Sequence, residues 1–207
     1  MSTKTAHART LYLTQLATLS AIVLFLQLAG VTIRIGATPV SLVLLPITLG
    51  ALLLGPLAGA WLGFLFGAEV LVVLGVMGGD PFTATLFLDH PLLTSLLCLG
   101  KGVAAGLVPA LIYRALKGKH ESVALFLAAA SAPVANTGIF ILGSYTMMDT
   151  FQSNFLGESS MLYFLVIVCA GWNFIFEFLI NLVCAPILSR LMKIIVPARN
   201  ESKGDLQ

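Results

Sequence analysis

The chain of 207 residues is 58% hydrophobic and only 10% charged, with a mean hydropathy of +1.01 and a formal net charge of +2. Soluble domains carry about 25% charged residues, so this composition excludes a soluble enzyme or a nucleic-acid-binding domain and specifies an integral membrane protein. At ~20 residues per span, the length suits a single membrane domain, 1–207, with six transmembrane helices in an all-α bundle.

The first apolar run, 11–29, follows Lys4 and Arg9 in the manner of a signal peptide. It is longer than a signal-peptide core and no A-x-A site follows, so it is expected to remain as the first span. The second and third runs, 39–54 and 57–77, are joined at Gly55-Pro56, a turn dipeptide. Pro46 is expected to kink the second helix. Gly55, Gly59, Gly63 and Gly67 recur every fourth residue and predict a face that a neighbouring helix approaches closely. The fourth, fifth and sixth runs are 91–113, 123–145 and 160–188, with long connections at 78–90 and 146–159. Beyond them, Ile187 to Val196 reads as an amphipathic interfacial segment, opening a tail at 189–207.

Basic residues fix the expected orientation. Lys4, Arg9, Arg114, Lys117, Lys119, Arg190, Lys193, Arg199 and Lys203 fall on one side, and only Arg34 on the other. The positive-inside rule then makes both termini and the tail cytoplasmic.

Lys101 lies about ten residues, or ~15 Å, into the fourth span. A cation there costs about 2.5–3.5 kcal/mol on the most lenient scale, so it calls for a carboxylate, water or an anionic ligand. Depth counting places Glu69 and Asn136 at its level, with Asn173 somewhat deeper and Glu177 further toward the cytoplasm. Asn173, Glu177 and Asn181 form a stripe at four-residue spacing that is expected to face protein or water. Pro133 releases a carbonyl beside Asn136 and Thr137, and these groups together suit a small polar solute. Two readings stay open: Lys101 and Glu69 neutralise each other, with the asparagines bridging helices, or Lys101 receives a ligand carboxylate. Glu177 reads as bundle glue or ligand contact, and Arg34 as a solvated charge or a lid residue. The candidate substrate-binding set is thus Lys101, Asn136, Thr137, Asn173, Arg34, Glu69 and Glu177.

No catalytic or nucleotide-binding motif is present. Cys98, Cys169 and Cys184 stand singly in apolar runs and the three histidines are scattered, so no metal, cofactor or catalytic role is expected of them.

The run TPVSLVLLPITLGALLLGPLAGAWLGFLFG, with APVANTGIFILG downstream, resembles the substrate-binding S components of energy-coupling factor (ECF) vitamin transporters, most of all the pantothenate-type and folate-type members. The resemblance implies a prokaryotic plasma-membrane protein that captures a water-soluble vitamin, with pantothenate the best guess, and works with a transmembrane scaffold subunit and two ATPases. It also implies that Ala17 and Ala21, within Ala17-Thr18-Leu19-Ser20-Ala21, form the small-residue face that docks on the scaffold. Pantothenate offers one carboxylate to Lys101 and hydroxyls and an amide to Asn136, Thr137 and Asn173. Two other classes remain: a proton-coupled secondary carrier using Glu69 or Glu177 as its relay, and a six-span cell-shape protein with no cavity.

Overall fold

The structure, a computed structural model, describes residues 3–30, 34–35, 38–39, 42–118 and 120–204, with side chains for 8–29, 42–118 and 120–192. It is an all-helical membrane bundle. Helix α1 (Thr3–Gly30) is followed by a two-residue antiparallel ladder of β1 (Arg34–Ile35) and β2 (Thr38–Pro39), in which Arg34 pairs with Pro39. Then come α2 (Leu44–Leu54), α3 (Pro56–Glu69), a π-helical continuation of α3 (Val70–Val76), α4 (Pro81–Asp89), α5 (Pro91–Leu116) and α6 (Glu121–Ser144). A short 3-10 turn (Tyr145–Met147) leads to α7 (Met148–Asn154). The last span starts as α8 (Met161–Tyr163), runs through a π-helical stretch (Phe164–Ala170), breaks at Gly171 and continues as α9 (Gly171–Gly204).

Among the described residues, five segments are long and apolar enough to cross a bilayer. Helix α2, the exception, has 11 residues, or roughly 16 Å at 1.5 Å per residue, against an apolar core of about 30 Å. Pro46 lies in its first turn, where a missing N–H costs nothing, so this proline helps start the helix instead of kinking it. Two expected connections contain helices. Asp80 caps α4 by accepting from the Thr83 amide at 3.0 Å and hydroxyl at 2.9 Å, and α7 occupies much of 146–159. The segment expected at the interface, 187–196, is a direct extension of α9.

The glycine pattern divides into two roles. Gly55 has φ of 99° and forms the turn between α2 and α3, a conformation that favours glycine. Gly59, Gly63 and Gly67 face α5 in antiparallel register. A Cβ on them would overlap the carbonyl oxygens of Gly106, Gly102 and Cys98 respectively. Gly102 and Gly106 return the arrangement, since their own Cβ atoms would strike the carbonyls of Gly63 and Gly59. Without side chains between them the two backbones are in contact at three successive tiers.

Apolar clusters fill the rest. Leu19, Val23, Val43, Ile47, Leu62 and Phe66 join α1, α2 and α3. At the end where α5 meets α6, Tyr113, Ala124, Ala128 and Leu188 pack together. At the opposite end Phe82 of α4 gathers Phe140, Phe151, Phe155 and Phe164 at centroid separations of 5.0–6.5 Å. The polar residues of the spans lie between these last two clusters.

Candidate functional site

The α3–α5 register positions Lys101. With Gly63 against Gly102, the residue of α3 level with Lys101 is Phe64. Glu69 is five residues further on, about 7 Å along the axis. Depth counting from helix ends therefore put Glu69 too close to Lys101, because it ignored the offset between the two helices. Among the described residues Lys101 makes no ion pair and no hydrogen bond. Its Nζ instead lies 6.0 Å from the centroid of the Phe66 ring and 5.6 Å from that of Phe140. A cation–π contact contributes about 0.5–2 kcal/mol according to how far it is desolvated, so the two rings offset part of the lenient cost of about 2.5–3.5 kcal/mol for a cation at this depth.

Helix periodicity brings the other groups to the same region. Phe66 and Glu69 share a face of α3 at i, i+3, and Asn136 and Phe140 share a face of α6 at i, i+4. On α9, Asn173 stands one turn before Glu177, and both Asn173 and Lys101 interact electrostatically with the Glu177 carboxyl. Glu69, Asn136 and Glu177 are 9%, 8% and 3% exposed. One buried oxygen on each of Glu69 (Oε2), Asn136 (Oδ1), Asn173 (Oδ1) and Glu177 (Oε2) has no hydrogen-bond partner. A buried acceptor left unpaired costs about 1–3 kcal/mol. Four of them on three helices, together with an ammonium that makes no hydrogen bond among the described residues, offer groups suited to a solute that both accepts and donates.

In the expected α9 stripe Glu177 and Asn181 are buried and Asn173 is half-buried, but its third member has a structural task. The Asn181 amide nitrogen donates to the Glu177 backbone carbonyl at 2.9 Å, and its oxygen accepts from the Thr48 hydroxyl at 3.5 Å, tying α9 to α2. Thr137 departs from the set. It lines an apolar groove of about 400 Å³ between α6 and the Gly171 break, with Gly138, Ile141, Ile167 and Phe174. Adjacent helix positions diverge by about 100°, so Thr137 and Asn136 serve different surfaces. The side chain of Arg34 lies outside the described residues.

Phe66 and Phe140 were not singled out in the sequence. The signal for them was their helical spacing from Glu69 and Asn136, an aromatic one turn from a buried polar group. His90 was likewise unremarked. Its Nε2 meets both Asp149 carboxylate oxygens at 3.0 Å, joining the α4–α5 corner to α7 beyond the spans. That hydrogen bond, more than the Thr150 backbone N–H, holds the Asp149 carboxyl below its ordinary range.

Ala17 and Ala21 are both exposed on α1, on the face opposite Leu19 and Val23. The cysteines are free thiols, with Cys98 and Cys169 buried. No group of His, Cys, Asp and Glu able to hold a metal occurs among the described residues.

A comparison with curated proteins gives no match. A comparison with protein families matches residues 11–189 to the family described as ECF transporter, substrate-specific component. The match runs from the first span into the last and takes in every element that carries the polar patch; the chain belongs to the family of ECF transporter substrate-specific components.

Proposed function

We propose that the patch around Lys101 binds a carboxylate-bearing water-soluble vitamin, pantothenate fitting best, and that the chain captures it from outside a prokaryotic cell. In this reading both termini are cytoplasmic, and cargo passes through a membrane scaffold energised by two ATPases. Lys101 receives the carboxylate, while Asn136, Asn173, Glu69 and Glu177 take the hydroxyl and amide groups. The observation that supports it is the ammonium itself. It lies half-buried within a span over two phenyl rings, with no carboxylate of the described residues at ion-pair distance. Thr137 and Arg34 are kept as contacts of the entry path only.

The test is mass spectrometry of small molecules released from the purified protein, followed by calorimetry. Lys101→Met keeps length and removes charge. Loss of a buried charge partner costs about 2–5 kcal/mol, so pantothenate affinity is expected to fall about 30- to several-thousand-fold. Because Lys101 and Glu69 are not paired, adding Glu69→Gln is not expected to restore it. Wild-type affinity in the double variant sinks the anion-receptor role. Uptake by vesicles lacking scaffold and ATPases favours a proton-coupled carrier instead.

A further inference from the structure

We infer that Phe66 and Phe140 act as an aromatic bracket that holds the Lys101 ammonium without a neutralising carboxylate, and so determine that the ligand must be an anion. This rests on the reading of Lys101 as the ligand's receptor and adds the residues that make it selective.

An ammonium within a membrane span has two routes to stability. A carboxylate at 3 Å stabilises it by cancelling its charge, which leaves little field for a ligand. The negative faces of aromatic rings stabilise it through their quadrupoles and leave the formal charge intact. The structure takes the second route although the Glu177 carboxylate is near enough to interact electrostatically. Glu177 interacts with Lys101 through space, yet the two form no salt bridge. Glu69 is held off by the α3–α5 glycine register. The two rings come from different halves of the bundle. Phe66 is 4% exposed in the cluster of α1, α2 and α3, and Phe140 leans on Phe82 in the aromatic cluster at the other end. Each ring is thus fixed by its own packing, and the ammonium is placed between two fixed faces. Phe66 and Phe140 are positioning residues: they act on ligand through Lys101.

The experiment replaces Phe140, and separately Phe66, with phenylalanines carrying one, two and three ring fluorines. This weakens the π face in steps while conserving shape. The probes are pantothenate and its alcohol analogue panthenol, which lacks the carboxylate. Pantothenate affinity is expected to fall stepwise, to about tenfold weaker at three fluorines, with panthenol binding changed less than twofold. Equal changes for both probes, no change, or a rise in pantothenate affinity overturns the bracket. A second measurement needs no ligand. In melting curves the cost of trifluorination at 140 should largely vanish in a Lys101→Met background, whereas full additivity of the two changes overturns the inference. If the unmodified protein binds no pantothenate, the vitamin assignment fails, and the melting cycle alone decides for or against the bracket.

Discussion

Gly63→Ala adds one methyl group where the backbones of α3 and α5 touch. The new Cβ would overlap the Gly102 carbonyl oxygen and stand 2.7 Å from Gly102 C and 3.2 Å from Val103 Cα. Optimal carbon contacts begin near 3.5 Å, so the helices must part by ~1 Å, and the flanking Gly59 and Gly67 tiers open with them. No flexible side chain is present to give way, since all three neighbours are main-chain atoms. Overpacking of this kind costs about 1–3 kcal/mol, and each kcal/mol shifts the melting temperature by about 2–4 °C in a protein of this size. A fall of roughly 2–12 °C is expected for purified protein in detergent. Gly100→Ala is the control, one residue from Lys101 on the same helix but with nothing within 4 Å of its Cβ. It should be neutral or stabilising by up to about 1 kcal/mol. An unchanged melting temperature for Gly63→Ala, or an equal loss for both variants, would refute the close-contact argument.

Leucines at both Ala17 and Ala21, on the exposed face of α1, should abolish co-purification with a scaffold subunit while leaving vitamin binding intact; retention of the complex places the docking face elsewhere. Cysteines introduced at Thr83 and Ser153 should react with impermeant thiol reagents on intact cells and one at Lys117 should not, and the reverse pattern inverts the orientation. At the His90–Asp149 contact the folded-state carboxyl titrates below its ordinary value of 3.8, so its small stabilisation is present above that value and fades as the pH falls further. Asp149→Asn should therefore flatten the acid limb of the melting profile below about pH 4, and an unchanged profile removes the contact from the acid response.

The sequence resolved much of this molecule where its signals were local. Apolar runs of about twenty residues set five spans, and glycines at four-residue spacing announced the α3 face. What it could not supply was the offset between helices. Depth counting treated α3 and α5 as level at their ends, and it put Lys101 and Glu69 at one level, leaving their pairing open. The glycine register instead brings Phe64 level with Lys101. Residue spacing also could not tell a glycine needed for its φ, Gly55, from those needed for the space they leave. Gly55 continues the four-residue series by accident of position. Asn136 and Thr137 looked like one cluster because they are adjacent in the chain, yet consecutive helical positions face different neighbours. Phe66 and Phe140 were passed over for a related reason: a phenylalanine in an apolar run carries no mark that separates a lipid-facing ring from one beneath a cation.

Backbone contact between α3 and α5 has a mechanical consequence. Two helices with main-chain atoms in contact at three tiers cannot slide or roll without collision, so they move as a single beam. Their amides should be the last in the protein to exchange with solvent. Lys101, Phe66 and Glu69 ride on that beam; Asn136 and Phe140 ride on α6, and Asn173 and Glu177 on α9, which leaves the axis at the Gly171 break. Any rearrangement on binding must then come from the second group moving against the first. The polar patch spans that seam, and a solute seated there fastens a fixed half of the protein to a moving one.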